Sequence, residues 1–173
     1  MTIRRLLLLI VLGLLAGLFE ATTSTLLPSP FSALRPIIPV IVGFIVLQRP
    51  ESAYAFAVSA GAAMDLFTVG PSTLAFVRLL LIAFAIAVVA ERVLTNHSLY
   101  AAMALTVLAR ILDWVWLFGV QAIVHLEGVA RAFVPGWQAA LTVLAFDAMI
   151  IVVAFIVNHV VFKRFVAFRL ARH

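Results

Sequence analysis

Five ionisable residues fall within or beside long apolar segments: Asp65, Arg78, Arg110, Asp113 and Asp147. On insertion scales a charge at the centre of a bilayer costs about 2.5–3.5 kcal/mol, so each of these needs a partner, water or a task. Arg110 and Asp113 are three residues apart and share a helix face. That spacing suits mutual neutralisation toward a bundle interior, or a polar contact to a partner helix or a substrate. Asp65 and Arg78 flank the turn Thr68-Val69-Gly70-Pro71-Ser72. They are placed to close a helical hairpin as a charged clamp, or to form a binding site at its outer face. Asp147 has no charged neighbour at helical spacing. It requires an arginine from elsewhere, a water-filled cavity or protonation.

Other chemistries have little to work with. The four histidines, His97, His125, His159 and His173, fall on separate segments without HxxxH or HExxH spacing. The chain has no cysteine, which excludes disulfides, thiol redox chemistry and thiolate metal sites. Neither a GxSxG nucleophile elbow nor a phosphate-binding P-loop occurs. Ser59 lies on a small-residue face and reads as packing. No catalytic residue, cofactor or metal site is expected.

Small residues carry a second signal. Gly13-Leu14-Leu15-Ala16-Gly17 is a GxxxG, and Ala57 with Gly61 repeats the small-xxx-small spacing. Such faces let helix backbones approach closely, either inside one bundle or against a partner helix. Gly13, Gly17, Ala57 and Gly61 are therefore the candidates for partner-helix packing. Trp114, Trp116, Trp137, Tyr54 and Tyr100 lie mostly near the ends of apolar segments, as an aromatic belt does.

The elements that carry these residues are membrane helices. Of the 173 residues, 66% are hydrophobic and 11% charged. Soluble domains average about 45–50% apolar and about 25% charged. With a mean hydropathy of +1.24, a water-soluble enzyme, a disordered tail and a secreted disulfide scaffold are excluded. The expected fold is all-α: one transmembrane domain over residues 1–173, a bundle of about six helices. The spans fall at about 6–20, 36–47, 53–69, 74–90, 99–124 and 139–162. The second is the weakest. Its clean apolar run is too short to cross, and Pro36 and Pro39 make it a kinked span or a half-span. The first, behind Arg4 and Arg5, reads as an uncleaved helix rather than a signal peptide.

Net charge is +5 and the sequence pI about 11.1. In a soluble protein that balance would suggest nucleic acid. Here the basic residues sit at helix ends, so no nucleic-acid partner is expected. With both termini inside, eight Lys and Arg residues are cytoplasmic: Arg4, Arg5, Arg49, Arg92, Lys163, Arg164, Arg169 and Arg172. Only Arg35 and Arg131 lie in outer loops. That bias predicts an N-in, C-in multi-pass topology. The basic tail from Lys163 onward suits contact with anionic membrane lipid.

The layout resembles the MreD-type family of rod shape-determining integral membrane proteins. The resemblance covers most of the chain in layout and a smaller part in motifs. Besides size and topology, it rests on three segments. One is the short second segment behind Arg35-Pro36-Ile37-Ile38-Pro39, ending in Leu47-Gln48-Arg49-Pro50. Another is Gly61-Ala62-Ala63-Met64-Asp65-Leu66-Phe67 with Gly70-Pro71 after it. The last is the polar stretch Glu91-Arg92-Val93-Leu94-Thr95-Asn96-His97-Ser98. The resemblance implies a non-enzymatic scaffold of the cell-elongation machinery in the bacterial cytoplasmic (inner) membrane. Such a scaffold binds an MreC-like single-span protein. It joins a glycan polymerase and a transpeptidase, and indirectly an actin-like filament, in lateral peptidoglycan synthesis.

Two other classes stay open. The substrate-binding membrane subunit of an energy-coupling-factor type vitamin transporter has a similar size and span number. On that reading Ala53 and Ala57 form a docking face, and Asp65, Arg78 and Asp147 line an outward pocket. A membrane-embedded enzyme would need clustered Asp, His or Ser motifs, whereas the aspartates here are spread over separate spans.

Overall fold

The computed structural model describes residues 3–26, 28, 35–67, 74–93, 99–126 and 137–170. Six helices account for almost all of them: α1 (Ile3–Leu26), α2 (Ile37–Val46), α3 (Pro50–Phe67), α4 (Ala75–Val93), α5 (Leu99–Leu126) and α6 (Trp137–Leu170). Each expected apolar segment corresponds to one helix. Among the described residues there is no strand.

Among the described residues three helices are long and apolar enough to cross a membrane, over Ile3–Thr23, Leu99–Val120 and Gln138–Val157. This is fewer than the six expected, and the reasons differ by helix. The ten residues of α2 reach about 15 Å, half of a hydrocarbon core of about 30 Å. The apolar character of α3 is diluted by small and polar residues, with Glu51 and Asp65 at its two ends. Three charges sit on α4: Arg78, Glu91 and Arg92.

The short helix is the hub. α2 touches all five other helices, and Ile37, Ile38, Pro39, Ile41, Val42, Ile45 and Val46 are buried. Around it, α1 packs on α3, α3 on α4, α4 on α5 and α5 on α6. A helix packed against five others must be apolar on nearly every face, and α2 is. The outer helices turn large apolar side chains outward, among them Leu8, Leu15 and Phe19 on α1 and Val153 and Ile156 on α6.

Local chemistry sets the ends of α2. Pro39 lies in its first turn, where a missing N–H leaves no intrahelical bond unmade. Of the two expected outcomes, a kinked span or a half-span, the prolines give the second: they start the helix, with Pro36 as its N-cap. At the other end the Arg49 N–H donates to the Phe44 carbonyl and the Gln48 N–H to the Ile45 carbonyl, both at 2.9 Å. That is a Schellman closure, with Gln48 in the left-handed region at φ 56°. Pro50 then opens α3, so three residues suffice to turn the chain back on itself.

Candidate functional site

The bundle's buried charges gather near the N-terminal end of α2. Arg110 on α5 and Asp147 on α6 form a bidentate pair. Arg110 Nε donates to Asp147 Oδ2 at 2.9 Å, and Nη2 to Oδ1 at 2.7 Å and Oδ2 at 2.6 Å. The same Nη2 reaches the Arg35 carbonyl oxygen, 3.2 Å away, just before α2. Asp113, one turn along α5 from Arg110, faces three guanidinium groups. Arg78 on α4 is 3.3 Å away, Arg35 3.6 Å and Arg110 3.7 Å. Arg78, Arg110, Asp113 and Asp147 are each at most 1% exposed.

Glu20 completes the set. It is buried on α1, and its Oε2 accepts the Ile37 N–H at 3.3 Å, which caps α2 from outside its own segment. Three carboxylates, Glu20, Asp113 and Asp147, thus balance Arg35, Arg78 and Arg110. Between them they join α1, α2, α4, α5 and α6. The cluster is compensated in charge but incomplete in hydrogen bonds. Arg35 Nη1, Arg78 Nε and Nη2, and both Asp113 oxygens are buried without a hydrogen-bond partner.

The structure separates residues that spacing had paired. Asp65 does not clamp the α3–α4 hairpin through Arg78. Its Oδ1 accepts the Ala75 N–H at 2.8 Å and its Oδ2 the Phe76 N–H at 2.9 Å. It is a cap for α4 donated by α3, where a carboxylate also meets the positive end of the helix dipole. Arg78 turns instead to Asp113. Arg110 and Asp113 do share the interior face, yet the strongest partner of Arg110 is Asp147 on another helix. Asp65, Arg78 and Asp147, expected to line one pocket, are held by three different partners.

The small residues are enclosed as well. A Cβ at Gly13 would overlap Ser59, and one at Gly17 would overlap the Ala60 carbonyl, both on α3. A Cβ at Gly61 would lie 2.5 Å from Phe76 Cα on α4. Ala57 is fully buried. All four positions are enclosed within this chain, Gly13 and Gly17 against α3 and Gly61 against α4, which is the internal-packing alternative of the two expected.

Two members of the cluster, Glu20 and Arg35, went unselected by sequence reasoning. Glu20 is the sole acid in the α1 segment, which is a usable signal, but it sits at the edge of the expected span. Arg35 was counted as an outer-loop topology charge, whereas it is only 27% exposed and points at Asp113. The turn at 68–73, residues 94–98 with His97, and His173 lie outside the described residues. The side chains of His125, Trp137 and His159 do too. No protein-family model, curated protein or solved structure matches the chain.

Proposed function

We propose that the chain is a six-span, N-in and C-in scaffold of the bacterial cell-elongation machinery. It would work as the MreD resemblance implies, by contact in the cytoplasmic membrane and without catalysis. The observation that carries this reading is the inward closure of the charges. Five helices are tied to one another by Glu20, Arg35, Arg78, Arg110, Asp113 and Asp147, and this arrangement favours a rigid body presenting apolar faces. The vitamin-binding reading needs Asp65, Arg78 and Asp147 on one cavity; Arg78 and Asp147 are instead engaged in the ionic cluster, and Asp65 caps α4. Enclosure of Gly13 and Gly17 moves the partner surface to the opposite face of α1, where Leu8, Val11, Leu15 and Phe19 form an exposed stripe.

The test is capture of an MreC-type single-span protein by the detergent-solubilised full chain. Retention of the partner, reduced by alanine at Leu15 and Phe19 without a change in unfolding temperature, supports the proposal. A chain that captures no such partner but holds a stoichiometric soluble vitamin overturns it.

A further inference from the structure

A groove of about 530 Å³ runs between α4 and α5. Its walls are Leu81, Phe84, Leu112, Val115, Trp116 and neighbouring apolar side chains, and Arg78 is the one charged residue that lines it. Gly119 sits in the groove wall within the bulky run Trp114 to Val120, and a Cβ there would meet nothing within 4 Å. Arg78 is 1% exposed, and its Nε and Nη2 have no hydrogen-bond partner. A guanidinium carries five donors, and buried donors without an acceptor are costly.

We propose that this groove binds one phospholipid, its anionic phosphate against Arg78 and one acyl chain along Leu81, Phe84, Val115 and Gly119. Two observations select this occupant. The apolar walls suit a hydrocarbon chain and not a soluble anion. Arg78 stands 3.3 Å from Asp113, yet its Nε and Nη2 lack a hydrogen bond, and those donors suit an anionic acceptor such as a phosphate. Arg78 also lies only three residues, about 4.5 Å, from the start of α4. This site requires the chain to lie in a membrane and does not depend on the scaffold role.

The experiment is native mass spectrometry of the delipidated full chain with phosphatidylglycerol or diacylglycerol of matched acyl chains. The wild type retains one phosphatidylglycerol, with diacylglycerol, which lacks the phosphate, held about tenfold more weakly, as loss of one charge-assisted contact predicts. Gly119→Phe fills the groove, leaves the unfolding temperature unchanged and lowers retention about tenfold. Arg78→Lys keeps the headgroup preference, and Arg78→Gln abolishes it. Equal retention of the two lipids overturns the proposal, as does undiminished binding by Gly119→Phe. A protein segment, rather than lipid, cross-linked to position 119 in membranes also overturns it. Failure to capture a single-span partner leaves this result standing, so the two proposals fail separately.

Discussion

Arg110 and Asp147, 37 residues apart in sequence, meet as a bidentate ion pair that fastens α5 to α6. Breaking such a pair from one side strands a buried charge, which costs about 3–5 kcal/mol. Asp147→Ala is therefore expected to lower unfolding stability by about that amount, read from a denaturant titration in mixed micelles. The double variant Arg110→Met/Asp147→Leu removes both charges, and it should be more stable than either single variant. A double variant no better than Asp147→Ala would mean that Arg110 serves Asp113 and the Arg35 carbonyl more than Asp147.

Asp65 holds the start of α4 through two backbone N–H groups. Loss of an N-cap costs about 0.5–2 kcal/mol, and a charge at the helix terminus adds a few tenths. Asp65→Ala is expected to lower the unfolding temperature measurably, with Asp65→Asn intermediate because it keeps one acceptor. Arg78→Gln should not mimic either variant at the α4 N-terminus. Hydrogen exchange of the Ala75 and Phe76 amides separates the cases: Asp65→Ala accelerates it and Arg78→Gln does not.

The glycines divide into two kinds. At Gly61 the α3 backbone approaches Phe76 too closely for a side chain, so Gly61→Leu must push α3 from α4. Overpacking of this sort costs about 1–3 kcal/mol or more. Gly43 on α2 faces open space, where a Cβ meets nothing within 4 Å. Gly43→Ala is expected to stabilise by about 0.5–1 kcal/mol through helix propensity alone. Thermal unfolding of the two variants should shift in opposite directions.

These contrasts show which parts of the molecule were legible from residues alone. Helix positions were, because an apolar run in this chain admits only a helix, and the six segments fall on α1 to α6. The hub role of α2 was not, because shortness and two prolines read as a defect until five neighbours surround it. The ionic cluster was half legible. Arg110, Asp113 and Asp147 stand out as charges in apolar runs. Their partners come from other helices, and helical spacing reports only neighbours on the same helix. Asp65 misled for the same reason. Its target is backbone N–H of α4, and backbone donors leave no mark in the sequence.

Asp113 differs from Asp147 in how it works. Both of its oxygens lack a hydrogen bond, although three guanidinium groups stand within 3.3–3.7 Å. It acts by charge, at distances where alignment is poor. Asp113→Asn preserves its shape and removes that charge. Glu20 and Asp147 then face three arginines, and Asp147 is already engaged by Arg110. The nearest cation, Arg78, loses its counter-charge, so the single variant is expected to be strongly destabilised and Arg78→Met on top of it to restore part of the loss. A double-mutant cycle on Asp113 and Arg78 should give a coupling of about 0.5–3 kcal/mol in denaturant titrations. Arg35 is partly exposed and can shed charge to water, so its cycle with Asp113 should give a smaller coupling. The reverse order would place the balance of the cluster at Arg35 and leave Arg78 free to serve the groove alone.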